Sequence, residues 1–432
     1  MESLNFKIEG GKKLKGEVTI LKAKNSAVSI LCASLLNKGV TRLKKVPKIE
    51  EVFRIIEVLQ SIGMDVAWEK DDLVLKRKKL NIKKINKESA TKTRSAIMMI
   101  GSLIHEFDSF SIPHAGGCKL GNRAVAPHFG ALQNFNVKIE TKKSEYKVTA
   151  KNLVPSDFLL SEQGDTVTEN AILGASRIEG ETVIRFASCN YMVVDLCHFL
   201  ISLGIKIEGV GTHTLKITGV KNIDKNVEFE MGEDPIEAMF FLSSAIVTNS
   251  KITIKRIPID YLSLELFKLK EMGFVYKIKK SYLGENGFTN LVDLETFPSN
   301  MMALKEKIHP LPYPGINIDN LPFFAVIATQ AEGETLIHDW VFEKRAIYYT
   351  ELEKLGATVV LADPHRVFIR GKSKLQANEI VTPPALRPAA IILIAMLGAE
   401  GTSILRNVYS INRGYEDLSN RLRNLGAKIN VF

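Results

Sequence analysis

The sequence predicts an α/β protein of two similar domains, because one β/α repeat recurs six times along the 432 residues. Each repeat closes with an amphipathic helix, a Leu-x-x-apolar-Gly pattern and an alternating strand. Glycine at that place suits a helix end in the left-handed conformation. A recurrence at roughly 70 residues indicates a repeat architecture. A single repeat is too small to bury its own core, so the copies must pack together, in two groups of three.

The elements of the repeat can be followed in order. Each copy begins with an alanine-rich or apolar helical segment and continues through a short strand such as 40–43, 180–184 or 402–405. A loop and the amphipathic helix follow. The helices close, in order, at Gly63, Asn136, Gly204, Gly273, Gly356 and Gly426. The second copy has asparagine in place of glycine, and one longer interval separates the fourth closing position from the fifth.

Composition indicates a soluble globular protein, with 45% hydrophobic and 25% charged residues. No apolar run reaches the roughly 18 residues of a membrane span, and residues 1–13 lack the apolar core of a secretory signal. We therefore expect a cytoplasmic protein with no membrane partner. The net charge of +10 fits nucleic acid, an anionic membrane surface or a polyanionic small substrate. Nucleic acid is not expected, because the lysines are dispersed and no aromatic residues alternate with them. The oligomeric state is left open.

A glycine-rich loop, residues 114–123, places one cysteine among polar residues. Its glycines permit backbone conformations closed to other residues and the close approach of a ligand. Lys119 and Arg123 would favour a thiolate on Cys118 and would attract a phosphorylated substrate. Taken alone, the stretch fits a surface loop with an incidental cysteine equally well.

The other three cysteines are expected to be structural. Cys32 lies in an apolar helical run and is predicted to be a small core residue, and Cys189 and Cys197 can be the same. There is no CxxC, no HExxH and no histidine cluster, so no metal site is predicted.

Short motifs on these repeats carry a family resemblance. They are Ala23-Lys24-Asn25, Thr93-Arg94, Gly116-Gly117-Cys118 with Gly121 and Arg123, Tyr313-Pro314-Gly315 with Asp319, Phe342-Glu343-Lys344-Arg345, Leu386-Arg387, and Asn412-Arg413-Gly414-Tyr415-Glu416. In this order they resemble the enolpyruvyl transferase superfamily, and within it the branch that acts on UDP-N-acetylglucosamine. The resemblance covers essentially the whole chain. The shikimate-pathway branch is a poorer match, because the cysteine loop and the 412–416 motif belong to the UDP-sugar branch.

The resemblance implies a fold and domain boundaries. The fold is a two-domain inside-out α/β barrel, in which helices lie inside each domain and sheets outside, and the domains close on substrate. By the same analogy, residues 1–21 join residues 233–432 in one domain, and residues 22–232 form the other domain, which carries the Cys118 loop.

The implied reaction transfers the enolpyruvyl group of phosphoenolpyruvate to the 3-hydroxyl of UDP-N-acetylglucosamine and releases phosphate. In the family this is the first committed step of peptidoglycan precursor synthesis. C3 is protonated, the hydroxyl attacks C2, and phosphate leaves a tetrahedral intermediate. The chemistry needs cations for a carboxylate and a phosphate, one acid and one base, and no metal or organic cofactor.

Each candidate residue takes its role from the family position that it matches. Cys118 matches the general acid, which is also the site alkylated by fosfomycin. Asp319 matches the carboxylate near the accepting hydroxyl, and Lys24 matches the lysine that contacts phosphoenolpyruvate. The remaining substrate-binding positions are Asn25, Arg94, Arg123, Val341, Arg345, Arg387 and Arg413. A simpler interpretation of an arbitrary cation is a solvated face, and Asp319 also fits the N-cap of a helix over 320–331.

The chain departs from the family pattern on the acceptor side. Ala385 stands where the family usually has the aspartate of Asp-Leu-Arg, and Ala126 replaces the aspartate of Arg-Pro-Val-Asp. Lys22 replaces the glycine of Gly-Ala-Lys-Asn, and residues 189–192 replace the acidic Arg-Glu-Pro-Glu segment. The pattern predicts a retained phosphoenolpyruvate half and an altered acceptor half.

Two alternatives follow from these departures. The first is enolpyruvyl transfer to another nucleotide such as UMP, which the altered uracil contacts favour. The second is a non-catalytic binding or regulatory relative, in which Ala385 is the lesion. A non-specific nucleic-acid binder is the weakest interpretation.

Overall fold

The computed structural model describes residues 4–114, 116 and 125–432. The predicted acid Cys118, its neighbour Lys119 and the predicted ligand Arg123 lie outside the described residues.

The strands and helices alternate along the chain. The strands are β1 Phe6–Glu9, β2 Lys15–Thr19, β3 Val40–Leu43, β4 Met64–Glu69, β5 Asp72–Arg77, β6 Ser109–Pro113, β7 Val137–Thr141, β8 Glu145–Ala150, β9 Asp157–Leu159, β10 Gly180–Arg185, β11 Lys206–Glu208, β12 Thr214–Gly219, β13 Val227–Phe229, β14 Lys251–Pro258, β15 Tyr276–Leu283, β16 Asn290–Thr296, β17 Gly333–His338, β18 Thr358–Asp363, β19 Arg366–Gly371, β20 Glu379–Val381, β21 Thr402–Arg406 and β22 Lys428–Val431. The α-helices are α1 Lys24–Ala33, α2 Glu50–Ile62, α3 Lys87–Lys92, α4 Met99–Leu103, α5 Ala126–Gln133, α6 Asp165–Ala175, α7 Tyr191–Ser202, α8 Pro235–Val247, α9 Ser263–Glu271, α10 Leu321–Ala328, α11 Leu386–Gly398, α12 Tyr409–Asn412 and α13 Leu418–Asn424. The 3₁₀ segments are Ser34–Leu36, Ile82–Lys84, Arg94–Met98, Ile259–Leu262 and Arg345–Leu355.

The described residues divide into two compact units. Unit 1 contains residues 4–21 and 233–432, and unit 2 contains residues 22–114, 116 and 125–232. The first segment belongs to unit 1 because both of its strands pair there. Phe6 of β1 lies opposite Leu405 of β21 and Val431 of β22 in antiparallel ladders, and β2 runs parallel to β14.

Unit 1 contains three sheets around three helices. The strand orders are β20-β21-β1-β22, β15-β16-β14-β2 and β17-β19-β18. The inner helices α8, α10 and α11 pack against one another, and every residue of α8 and α10 is buried. A helix that is apolar on all sides has to lie inside a core, so the sheets take the outer positions.

Unit 2 repeats this arrangement. Its sheets have the orders β13-β3-β5-β4, β6-β8-β7 and β11-β12-β10-β9, and α1, α4 and α6 pack together inside. Cys32 on α1 and Cys197 on α7 are fully buried, as expected for core residues. In the described part of the chain, six sheets in two groups of three confirm the inside-out α/β fold with six repeats.

The closing positions have the backbone conformation that the pattern predicts. Five glycines and one asparagine have positive φ: Gly63 +112°, Asn136 +66°, Gly204 +95°, Gly273 +90°, Gly356 +86° and Gly426 +88°. A positive φ disfavours residues with a Cβ, and asparagine tolerates it better than most. The repeat is therefore set by local backbone chemistry.

One predicted element differs in type. The closing helix of the fifth repeat is expected to be an amphipathic α-helix, and the structure has a 3₁₀ segment at Arg345–Leu355. The longer interval before Gly356 contains the extended hairpin of β15 and β16 and the segment 297–320. None of the helices in the described part of the chain combines the length and the apolar character needed to span a bilayer.

Candidate active site

In unit 1 the predicted residues collect where the inner helices begin. Asp319 lies two residues before α10, and Arg387 is the second residue of α11. Asp234 caps α8, because its Oδ1 accepts a hydrogen bond from the Ile236 amide at 2.8 Å. Burial raises the pKa of Asp234, and the charge of Arg387 opposes that rise. Three helix N-termini, the positive ends of the helix dipoles, therefore meet around one guanidinium and favour anions there.

Arg387 is held between two oxygen acceptors. Its Nη2 lies 3.2 Å from Oδ2 of Asp319, and its Nη1 donates to the Tyr415 hydroxyl at 2.9 Å. Arg387 is 6% exposed and Tyr415 is 3% exposed, and the Tyr415 ring packs on Phe240 of α8 with 5.1 Å between centroids. Burial raises the pKa of Tyr415, so this hydroxyl stays protonated. The guanidinium is thus fixed in orientation before any ligand binds.

The N-cap interpretation of Asp319 is wrong. α10 begins at Leu321, its N-cap is Asn320, and the Asp319 carboxylate is turned to Arg387 instead. The turn before the helix is stabilised by Glu265, whose Oε1 accepts from the Asn317 amide at 3.0 Å and from Nδ2 of Asn320 at 2.9 Å. The ion pair overrides the local preference of aspartate for a helix cap.

Arg345 is buried, whereas the resemblance predicts that it lines the cleft. Its side chain is 0% exposed, and its Nε and Nη2 donate to the two carboxylate oxygens of Asp339 at 2.5 and 2.9 Å. Nη2 also donates to the Ile318 carbonyl at 2.8 Å, and Tyr349 donates to the same carboxylate. Since Ile318 precedes Asp319, the buried arginine positions the peptide that carries the predicted base, and it lines no open surface.

Arg413 lies on a segment that packs against the start of α11. It follows α12 directly and is half-buried. A Cβ on the next residue, Gly414, would lie 2.3 Å from Cδ2 of Leu386, so a larger residue there would have to displace the leucine side chain. Tyr415 then accepts the hydrogen bond from Arg387. The motif therefore brings the Arg413 backbone close to the start of α11, next to Arg387.

In unit 2, Glu51 connects two predicted cation segments. Nζ of Lys24, the first residue of α1, lies 3.5 Å from Oε2 of Glu51. Oε1 of the same carboxylate accepts from the Thr93 hydroxyl at 2.9 Å, and Arg94 follows as the first residue of a 3₁₀ segment. The N-cap of α1 is Ala23, which has no side-chain acceptor. The helix start therefore keeps its positive character, as an anion site requires.

Arg94 also influences two titratable groups. Burial, with a smaller contribution from the Arg94 charge, lowers the pKa of His128 to about 4. Burial raises the pKa of Glu162, and Arg94 opposes that rise. Asn25 donates from Nδ2 to the Tyr191 hydroxyl at 3.0 Å. These relations place Lys24, Asn25 and Arg94 on helix starts within one unit.

The structure shows the environment of the residues that depart from the family pattern. Lys22 is 6% exposed and its Nζ lies 2.7 Å from Oε1 of Glu230. Ala126 is exposed at the start of α5, and Ala385 is the N-cap of α11, 1% exposed and without a capping side chain. Each missing carboxylate thus falls at the N-terminus of a helix.

The segment 189–192 forms a hydrogen-bonded corner with the start of α6. Oδ1 of Asp165 accepts from the Ser188 hydroxyl at 2.6 Å, and Oδ2 accepts from Nδ2 of Asn190 at 3.2 Å. Sγ of Cys189 lies 3.1 Å from Nδ1 of His213. An aspartate at the start of α6 interacts favourably with the helix dipole.

Comparison with known proteins decides the family. A family model described as EPSP synthase (3-phosphoshikimate 1-carboxyvinyltransferase) matches residues 8–422. The chain belongs to this family. The predicted membership of the enolpyruvyl transferase superfamily is thereby confirmed.

Similar proteins cover the whole chain. The UDP-N-acetylglucosamine 1-carboxyvinyltransferase of Borreliella burgdorferi is 34% identical over 427 residues, which is 98% of each chain. The protein of the same name from Treponema denticola is 34% identical over 428 residues, again 98% of each. Among solved structures, the enolpyruvyl transferase NikO from Streptomyces tendae has a TM-score of 0.84 at 22% identity, covering 100% of this chain and 99% of the other. EPSP synthase from Acinetobacter baumannii has a TM-score of 0.74 at 16% identity and full coverage. The structural likenesses concern the fold.

Several supporting residues of this enolpyruvyl transferase were not predicted. Tyr415 lies in the 412–416 motif, so the sequence already marked it as a candidate. No motif marks Glu51 or Asp339, and only the structure shows which cation each of them pairs with.

Proposed function

We propose that this chain transfers the enolpyruvyl group of phosphoenolpyruvate to the 3-hydroxyl of UDP-N-acetylglucosamine and releases phosphate. The observation that carries the proposal is the 34% identity, over 98% of both chains, to a protein named for this acceptor. The arrangement in each unit supports the same chemistry.

Unit 1 supplies a preorganised anion site and a carboxylate. Arg387, fixed by Tyr415 and Asp319, and the nearby Arg413 offer planar guanidinium groups to the carboxylate and phosphate of phosphoenolpyruvate. Fixed donors stabilise developing charge without reorganisation at the moment of reaction. Asp319 is placed in the role of base toward the accepting hydroxyl, and Val341, 43% exposed, in that of an acceptor contact.

Unit 2 supplies further cations. Lys24, Asn25 and Arg94 lie at helix starts that favour anions. The acid and one more cation are assigned to Cys118 and Arg123 from the family positions that these two residues match. The Cys118 thiol donates its proton to C3, while the hydroxyl attacks C2 and gives its proton to Asp319. Loss of phosphate from C2 and of a proton from C3 then restores the double bond, so that the product is the enolpyruvyl ether.

Further parts of the proposal concern the protein's setting. The two compact units are the two domains of the family fold. The reaction is placed in the cytoplasm, as the first step of peptidoglycan precursor synthesis in cell-wall formation. Fosfomycin would alkylate Cys118. The ligands are phosphoenolpyruvate and a UDP-sugar, with no nucleic acid, membrane or cofactor.

The test is phosphate release from phosphoenolpyruvate with mass spectrometry of the product. Three reactions are compared, with UDP-N-acetylglucosamine, with UMP and without acceptor. Asp319→Asn should reduce turnover, and the surface variant Asp363→Asn in the same unit serves as its control. A product heavier by one enolpyruvyl group only in the UMP reaction would replace the proposed acceptor. A phosphoenolpyruvate-dependent rise in melting temperature without phosphate release from any mixture would identify a binding protein.

A further inference from the structure

Trp340 is a large aromatic side chain that stays exposed in an ordered position. It is 45% exposed, and its Nε1 donates to the Pro310 carbonyl at 3.1 Å. The indole therefore has its only polar group satisfied while nearly half of its surface faces solvent. Two more exposed apolar residues lie next to Pro310 and Trp340 in the chain, namely Leu311, which is 48% exposed, and Val341, which is 43% exposed. A tryptophan held in this manner is typical of a binding surface.

The backbone on both sides of this indole belongs to the network around Asp319. The residue before Trp340 is Asp339, which binds Arg345, and Arg345 in turn donates to the Ile318 carbonyl. The Pro310 loop leads along the chain into the same turn, because the Leu311 amide donates to the Ile316 carbonyl at 3.1 Å. Hydrogen bonds and the chain itself thus connect both loops that hold the indole to the peptide that carries the proposed base.

We propose that Trp340 is an acceptor-binding residue that packs its indole face against the sugar ring of the nucleotide sugar. This inference rests on the proposed function, and it adds the residue that selects the sugar. A ring attached to the reacting hydroxyl must lie beside Asp319, and the two loops that hold the indole are hydrogen-bonded to the turn that leads into Asp319. The apolar C–H face of a sugar loses little by leaving water for an aromatic ring, whereas a phosphate or carboxylate would lose much. The indole therefore discriminates for the sugar and leaves phosphoenolpyruvate binding to the cations.

The chain offers a direct spectroscopic test because it has two tryptophans. The other one, Trp68, packs edge-on against Phe53 in unit 2, with centroids 6.0 Å apart. In Trp68→Phe protein, Trp340 is the remaining tryptophan. UDP-N-acetylglucosamine should change its emission and protect it from acrylamide quenching, and UDP alone should do neither. An equal change with UDP alone, or no change with either ligand, would overturn the assignment to the sugar.

Kinetics give a second, independent readout. Trp340→Ala should raise the KM for UDP-N-acetylglucosamine about tenfold, the size of one aromatic packing interaction, with kcat and the KM for phosphoenolpyruvate unchanged. Trp340→Phe should recover part of the loss. Phe267→Ala, which truncates an exposed aromatic on α9 (54% exposed), is the matched control and should leave all constants unchanged.

The outcomes separate this inference from the proposed function. Normal turnover by the wild type with an unchanged acceptor KM in Trp340→Ala refutes the inference and leaves the function standing. A changed sedimentation coefficient in Trp340→Ala, with unchanged KM, would show instead that the indole packs against a second copy. No phosphate release by the wild type refutes the function, and the fluorescence experiment still tests the sugar contact because it needs no turnover.

Discussion

Replacement of Arg345 by methionine should destabilise unit 1 strongly. The arginine donates two hydrogen bonds to Asp339 and one to the Ile318 carbonyl, and both charged side chains are 0% exposed. Methionine fills much of the volume of the arginine stem. The substitution therefore creates little cavity, and its main effect is to leave the Asp339 carboxylate buried without its cation.

The size of the effect follows from that burial. Removing one partner of a buried ion pair costs about 3–5 kcal/mol, because the remaining charge stays desolvated. A folded protein is stable by about 5–15 kcal/mol, so Arg345→Met removes a large fraction of the stability of its unit. With a urea dependence of about 2–3 kcal/mol per molar, the midpoint should fall by about 1–2.5 M.

Urea unfolding followed by circular dichroism measures this shift, and two variants sharpen it. Arg366→Met breaks a pair with Asp363 whose side chains are 55% and 29% exposed, and should cost at most about 1 kcal/mol. Arg345→Met combined with Asp339→Leu removes both charges and should recover much of the loss. If Arg345→Met unfolds within about 0.5 kcal/mol of the wild type, Arg345 is not held in a buried pair, and the conclusion that it positions the Ile318 peptide fails.

Three further substitutions test the site and the core. Tyr415→Phe keeps the packed ring but removes the hydroxyl that accepts a hydrogen bond from Arg387. The value of kcat/KM for phosphoenolpyruvate should fall roughly tenfold or more, which is the contribution of a hydrogen bond to a charged group. An unchanged kcat/KM would show that Arg387 does not need this hydrogen bond. Gly414→Ala places a Cβ 2.3 Å from Leu386 and should also lower kcat/KM for phosphoenolpyruvate. The double variant with Leu386→Ala should recover part of the lost kcat/KM. No recovery would show that the new Cβ clashes with another group. His105→Gln concerns pH: burial lowers the pKa of His105 from 6.5 to about 4, so the folded state binds fewer protons than the unfolded state between these values. Stability is therefore full above pH 6.5 and falls as the pH drops toward 4, by up to about 3 kcal/mol; urea midpoints at pH 7 and 4.5 should differ less in the variant, and an equal difference would exclude His105 as a cause.

Local backbone chemistry made the repeats predictable. A helix that ends in a left-handed residue needs glycine or asparagine, and the following strand alternates, so both features are written in consecutive residues. The positive φ at Gly63, and also at Asn136, which replaces the glycine in the second repeat, confirms the predicted left-handed helix ends. The inner helices were predictable for the same reason, since their composition is apolar on all sides.

The environment of the charged residues was not predictable, because the sequence does not show which charges pair or whether a charged side chain is buried. Asp319 has a sequence context that suits a helix cap, yet it pairs with Arg387, 68 residues away. Arg345 resembles a substrate-binding arginine, yet a neighbour on the preceding loop binds it inside the core. The resemblance supplied a role for each position, and only the folded chain determines whether the side chain is turned outward.

Ala385 stands where the resemblance predicts an aspartate, and the alanine changes the electrostatics at the start of α11. Ala385 is the N-cap of α11, an extended position that an aspartate would occupy as a capping acceptor. Its replacement by alanine removes a negative charge two residues before Arg387 and leaves the dipole of α11 without a capping anion. The start of α11 therefore attracts phosphate and carboxylate groups more strongly. Asp319 accepts a hydrogen bond from Arg387, and Asp234 interacts with the charge of the same guanidinium, so both carboxylates balance this positive field. Alanine at position 385 is therefore compatible with anion binding at the start of α11.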